Sequence, residues 1–155
     1  MNHFMDLALA EGFLGARNGA GGPFGAVIVK DDEVIARAHN MVLSTQDPTQ
    51  HAEIAAIRAA CKTLGRFDLS DCVIYSTCKP CPMCLGAIFW AKIPELYFGC
   101  TDDDASDIGF DDKFIYDAIK GNFFNMERLS VKNIDRNHCL KLFEEWVEKA
   151  DKKMY

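Results

Sequence analysis

Two short segments of the 155-residue chain place reactive side chains at informative intervals: His51-Ala52-Glu53 and Pro80-Cys81-Pro82-Met83-Cys84. Cys81 and Cys84 are three apart, so in the first turn of a helix their sulfurs fall on one side and can share a tetrahedral ion. His51 can supply a third ligand from another helix. Three protein ligands leave the fourth position of a zinc ion open to water, the pattern of a catalytic site. Two thiolates also cancel the formal charge of Zn2+ and leave a milder Lewis acid, which makes a proton-accepting carboxylate such as Glu53 valuable. His51 and Glu53 lie roughly 200° apart around a helix and cannot both point sideways at one target. They can converge at the open N-terminal end, where unpaired N–H groups and the positive end of the dipole favour anionic ligands. Cys78 is evenly spaced with Cys81 and Cys84 and is a rival ligand, although its strand-like surroundings favour packing. A closed structural site would need Cys78 or His138 as a fourth ligand and would have no use for Glu53.

Positioning those residues requires helices that begin just before them. Phe4, Leu7, Ala8 and Leu14 recur at helical intervals over 2–17, and Asn18-Gly19-Ala20-Gly21-Gly22-Pro23 ends the pattern. Residues 24–30 and 34–36 read as two strands joined at Asp31-Asp32. Asp47-Pro48 predicts the start of a second helix, with Ile54, Ile57, Ala60 and Cys61 as its apolar stripe. A strand over 71–77, a short helix over 80–90 entered through two prolines, and a strand over 95–100 follow. Beyond them the pattern predicts a helix over 111–120, a strand over 128–132 and a helix over 135–150 whose Leu140, Phe143, Val147 and Ala150 share a face. Strands alternating with helices through short connections predict an α/β sandwich in one domain.

Composition narrows the partners. With 49% hydrophobic and 26% charged residues the chain can bury a core, and 17 Lys+Arg against 23 Asp+Glu give a net charge of −6, which works against a polyanion or an anionic membrane. Seven cysteines, an odd number, with no basic start over Met1 to Asp6 and no apolar stretch of membrane-spanning length, predict reduced thiols in the cytoplasm. Asp102, Asp103, Asp104, Asp107, Asp111 and Asp112 make the stretch after the strand over 95–100 acidic, where an RNA binder needs Lys and Arg.

His-x-Glu at a helix start followed by Pro-Cys-x-x-Cys after a strand is the zinc-deaminase signature. The chain resembles the cytidine-deaminase superfamily at these motifs and, over most of its length, the bacterial guanine-deaminase branch. That closer resemblance rests on Gly22-Pro-Phe-Gly-Ala-Val-Ile-Val29, Asn40, Asp47-Pro-Thr49, Cys81-Pro-Met-Cys-Leu-Gly-Ala-Ile88, Gly109-Phe-Asp-Asp112 with Phe114-Ile-Tyr116, and Lys152-Lys-Met-Tyr155. It implies a three-layer α/β/α sandwich around a five-stranded mixed sheet, a single domain over 1–155, and one zinc per protomer on His51, Cys81 and Cys84. It also implies hydrolysis of guanine to xanthine and ammonia. Glu53 would pass the water's proton to ring N3 and Asp112 would help the amine leave, while Asn40 would hydrogen-bond the purine and Phe24 would lie against its face. The C-terminal segment, about 135–155, would cross to a partner subunit in a domain-swapped homodimer, with Tyr155 closing the partner's pocket and Phe143 and Trp146 as interface or core anchors.

On the residues alone, Asp112 is equally a helix cap, Asn40 a turn residue, Phe24 a core residue and Tyr155 a frayed end. Guanosine deaminases share the same features, and a tRNA adenosine deaminase or a zinc-binding module without catalysis stands further off. One departure is plain: many superfamily members carry Glu before the second motif, and this chain has Lys79.

Overall fold

Asn2 opens the first helix by capping it. In the computed structural model, which describes residues 2–121 and 129–153, the Asn2 Oδ1 accepts from the N–H groups of Phe4 and Met5 at 2.9 and 3.2 Å. Helix α1 spans His3–Arg17, and strands β1 (Gly25–Lys30) and β2 (Glu33–His39) form the expected hairpin. Asp31 and Asp32 turn it with φ of 49° and 62°, the left-handed pair that a two-residue hairpin loop requires and that Asp tolerates. A one-turn helix, α2 (Val42–Thr45), precedes α3 (Ala52–Leu64), β3 (Val73–Cys78), α4 (Pro82–Trp90), β4 (Glu95–Cys100) and α5 (Asp102–Asp107).

The sheet has the order β2-β1-β3-β4, with β1 antiparallel to both neighbours and β3 parallel to β4 through the α4 crossover. Alternation along β1 sorts its side chains between the layers. Val27 and Val29 pack with Ala8 beneath α1, whereas Ala26 and Ile28 join Ile74, Ala52, Ala56 and Ile88 beneath α3 and α4. Helices therefore cover both faces, as a three-layer sandwich demands. The α1 layer sits close because of Gly25, where a Cβ would fall 2.0 Å from the Ala8 carbonyl oxygen and 2.6 Å from the Gly12 nitrogen.

Two expectations need correction. The helix predicted from Asp47-Pro48 begins at Ala52 instead, because Asp47 closes a turn on Thr49, whose N–H and hydroxyl donate to it at 2.8 and 2.7 Å. The fifth strand, predicted over 128–132, does not form: 129–132 carry no strand, and Arg128 lies outside the described residues. Leu129 and Val131 are exposed, so their alternation meets no sheet to pair with, and among the described residues the sheet has four strands. Part of the acidic run folds as α5, which Thr101 opens through a reciprocal capping box with Asp104.

The chain divides into two compact units, residues 1–112 and 113–155. The second contains α6 (Lys113–Lys120) and α7 (Arg136–Glu148), the latter with Leu142, Phe143, Trp146 and Val147 exposed. No helix among the described residues is long and apolar enough to cross a membrane.

Candidate active site

The two motifs meet because each stands at the start of a helix. His51 is the N-cap of α3 and Cys81 the N-cap of α4, both extended, and neither uses its side chain to cap its own helix. Pro82 fills the first position of α4, where a missing N–H is harmless and φ is already helical. Pro80 and Pro82 thus bracket Cys81, and a residue before proline is itself confined to extended backbone, as its φ of −64° and ψ of 168° are.

The His51 Nδ1 lies 3.6 Å from the Cys81 sulfur and 3.5 Å from the Cys84 sulfur. Zinc bonds of about 2.05 Å to nitrogen and about 2.3 Å to sulfur at the tetrahedral angle separate such atoms by about 3.5 Å, so the three residues fit the ion. They form the one cluster of three or more His, Cys, Asp or Glu ligand atoms found among the described residues. Cys78 is outside it and turns its thiol to the Thr101 carbonyl at 3.4 Å, so among the described residues no fourth protein ligand closes the set.

Charge at the cluster is unevenly shared. Cys81 is held down to about 4, first by the hydrogen bond from Cys84 and then by that from His51, against the opposing effect of burial. Cys84 is pushed up, chiefly by its bond to Cys81 and by burial, and the bond to Cys81 raises His51. The donor set therefore holds one ready thiolate, and a divalent cation would favour the second by displacing its proton.

Glu53, in the first turn of α3, is 6% exposed, and burial pushes its carboxyl above the usual range. Its Oε1 accepts a hydrogen bond from the Ser76 hydroxyl at 3.0 Å. Asp112 is half-buried, and its carboxyl is pushed up by burial and then by the charge of Cys81.

Asn40 is tied to both the ring-facing candidate and the metal motif through the backbone. Its N–H donates to the Phe24 carbonyl at 3.0 Å, and the next N–H, of Met41, donates to the carbonyl of Gln50, the residue before His51, at 2.9 Å. The Asn40 side chain is buried and its Oδ1 accepts from the N–H groups of Gly22 and Val42 at 3.3 and 3.1 Å, which fixes the amide and leaves Nδ2 as its spare donor. Gly21 makes room for this: a Cβ there would fall 2.0 Å from the Asn40 Oδ1. The half-buried Phe24 ring meets Phe110 edge-on, centroids 5.0 Å apart. It also lines a cleft of about 150 Å3 with Leu9, Phe13, Thr77, Cys78 and Ile108, to which His51, Glu53, Cys81 and Cys84 do not contribute. Tyr155 lies outside the described residues.

Lys79, the departure in the second motif, forms an ion pair with Asp102 of α5 at 2.7 Å. The reversed charge thus meets an acid from the run that follows β4. Ser76 and Gly21 are the residues that sequence reasoning passed over. A Ser-Thr pair inside the strand 73–78 was the available signal for the first, and nothing in the sequence singles out the second among its neighbouring glycines.

Residues 1–100 match the cytidine and deoxycytidylate deaminase zinc-binding region. The guanine deaminase of Bacillus subtilis is 44% identical over the whole of both chains, and its crystal structure superposes with a TM-score of 0.93, covering 100% of this chain and 99% of that one. A guanine deaminase structure from Nitrosomonas europaea is 30% identical, with a TM-score of 0.66 over 70% of this chain and 63% of its own. The tRNA-specific adenosine deaminase of Agrobacterium fabrum is 48% identical over 64% of this chain and 65% of its length. A family match over well more than half the chain, carried by a His/Cys/Cys set that fits zinc, means that the chain belongs to the cytidine and deoxycytidylate deaminase zinc-binding family.

Proposed function

We propose that this chain hydrolyses guanine to xanthine and ammonia. The observation that carries the reading is the buried Glu53 carboxyl beside an open three-ligand set, in a chain similar from end to end to a bacterial guanine deaminase. One zinc per protomer, held by His51, Cys81 and Cys84, supplies when bound the positive charge that makes water a nucleophile at neutral pH.

Glu53 accepts the proton that water releases as its oxygen bonds to C2, and passes it to ring N3. A carboxyl lifted by burial is suited to both halves of that exchange. Asp112, lifted for the same reason, moves a proton toward the amine as the C2–N bond breaks. Asn40 Nδ2 donates to an acceptor on the purine, and the Phe24 ring lies against its face.

The chain acts as a single catalytic domain over 1–155 whose segment from about 135 exchanges with a partner in a homodimer, bringing Tyr155 over the partner's pocket. The exposed Phe143, Trp146 and Val147 on α7 support that exchange, since they offer an apolar side in need of cover. None of the seven cysteines is joined in a disulfide, in keeping with a cytoplasmic enzyme of purine metabolism.

The test is to measure zinc per protomer and ammonia release from guanine, guanosine, adenine, cytosine and a tRNA anticodon stem. The expected result is one zinc and fastest release from guanine. Faster release from guanosine would move the assignment to the nucleoside, release from the tRNA to adenosine editing, and bound zinc with no release from any of them would sink the enzyme reading.

A further inference from the structure

Ser76 stands in the middle of β3, paired in register with Ala26 of β1 and Phe98 of β4. By alternation it faces the same side as Ile74, the layer formed with α3 and α4, whose other buried sheet residues are Ala26, Ile28 and Ala36. Ser76 is 1% exposed, and a hydroxyl so placed is unfavourable unless it is bonded. An aliphatic side chain would suit this layer better by burial alone. What the hydroxyl meets is the Glu53 Oε1, at 3.0 Å, in a contact that joins the central strand to the first turn of α3.

The terminal torsion of a glutamate side chain is broad and roughly two-fold, so the side chain's own preferences do little to fix which oxygen faces a reacting atom. Anchoring one oxygen removes that freedom. The Ser76 O–H can donate to Oε1 while the proton in transit comes and goes on Oε2, so the anchor survives both halves of the exchange.

We propose that Ser76 is a positioning residue for the deamination: its hydroxyl holds the Glu53 Oε1 and thereby presents Oε2 as the oxygen that exchanges protons with water and substrate. Ser76 does not touch the substrate and acts through Glu53, so the inference rests on the proton-carrying role given to Glu53 above.

The test compares Ser76→Thr, which keeps the hydroxyl, with Ser76→Val, which has the same shape without it, and with Ser76→Ala, which adds no volume. On whichever purine the wild type deaminates, Ser76→Val and Ser76→Ala should lose about tenfold or more in kcat, the scale of a charge-assisted hydrogen bond, with KM and zinc content nearly unchanged. Ser76→Thr should recover most of the rate. Combining Ser76→Ala with Glu53→Gln should cost no more than Glu53→Gln alone, because the anchor has nothing left to position.

Equal kcat for the Thr and Val variants, or a near-normal kcat in Ser76→Ala should the larger side chains fail to fold, would overturn the proposal. So would a loss confined to KM. If Glu53→Gln itself keeps normal turnover, it is the role of Glu53 that fails; if Glu53→Gln is inactive while Ser76→Ala and Ser76→Val match the wild type, only the role of Ser76 does.

Discussion

Helices α1 and α5 begin differently from α3 and α4. Asn2 and Thr101 turn their side chains back on the helices they start, satisfying N–H groups that otherwise have no partner. His51 and Cys81 occupy the same structural position and direct their side chains at each other, 3.6 Å apart. The first pair stabilises local structure; the second leaves local structure incomplete and assembles a metal cluster. A helix start can thus serve either its own helix or a neighbour, and the contrast is open to experiment.

The strongest test converts one kind of start into the other. His51→Asn installs a preferred cap and removes a ligand, so zinc content and ammonia release should fall to background. With chelator present throughout, urea denaturation should nonetheless find the variant more stable than the wild type by about 1 kcal/mol. Equal stability would mean that the α3 start forgoes nothing by presenting a ligand. Glu53→Gln leaves both helix starts intact and should retain zinc while lowering kcat by at least about 10²-fold, as metal analysis and steady-state ammonia assays on one preparation will show. Thr101→Ala should do the opposite, destabilising by about 1 kcal/mol with zinc content and KM unchanged.

The smallest effect belongs to an ion pair outside the helix starts. Arg66 grips Asp71 through two oxygens at 2.6 and 2.8 Å and holds its carboxyl at about 2, below the ordinary 3.8. A depressed carboxyl contributes in full above the unfolded value and loses that contribution as pH falls toward the folded one. Asp71→Asn should therefore flatten the acid-unfolding curve between about pH 3.8 and 2 and leave neutral-pH activity alone.

The clustering of His51, Cys81 and Cys84 was legible because it depends on residue type at short spacing, which folding preserves. The start of α3 was misplaced because Asp-Pro is a strong opening signal, and only the structure reveals that Thr49 captures the Asp47 side chain first. The missing strand over 129–132 has a different cause: alternation describes a segment, whereas a strand needs a neighbour to complete its hydrogen bonds. Thr101-x-x-Asp104 was readable as a capping box, although an acidic run was all that the sequence reading drew from this stretch. What Ser76 and the Gly21 gap touch was beyond the sequence, because each contact is remote along the chain.

The prolines on either side of Cys81 have a consequence for how the metal is held. Where ligands are disordered without their ion, binding must supply the free energy of folding, and removing the metal unfolds the domain. Here Pro80 and Pro82 confine the Cys81 backbone, and α4 continues from it into the sheet's covering layer. A receptacle confined in this way should form before the ion arrives. The apoprotein should keep its secondary structure through dialysis against chelator and regain activity on simple readdition of zinc, without a refolding step.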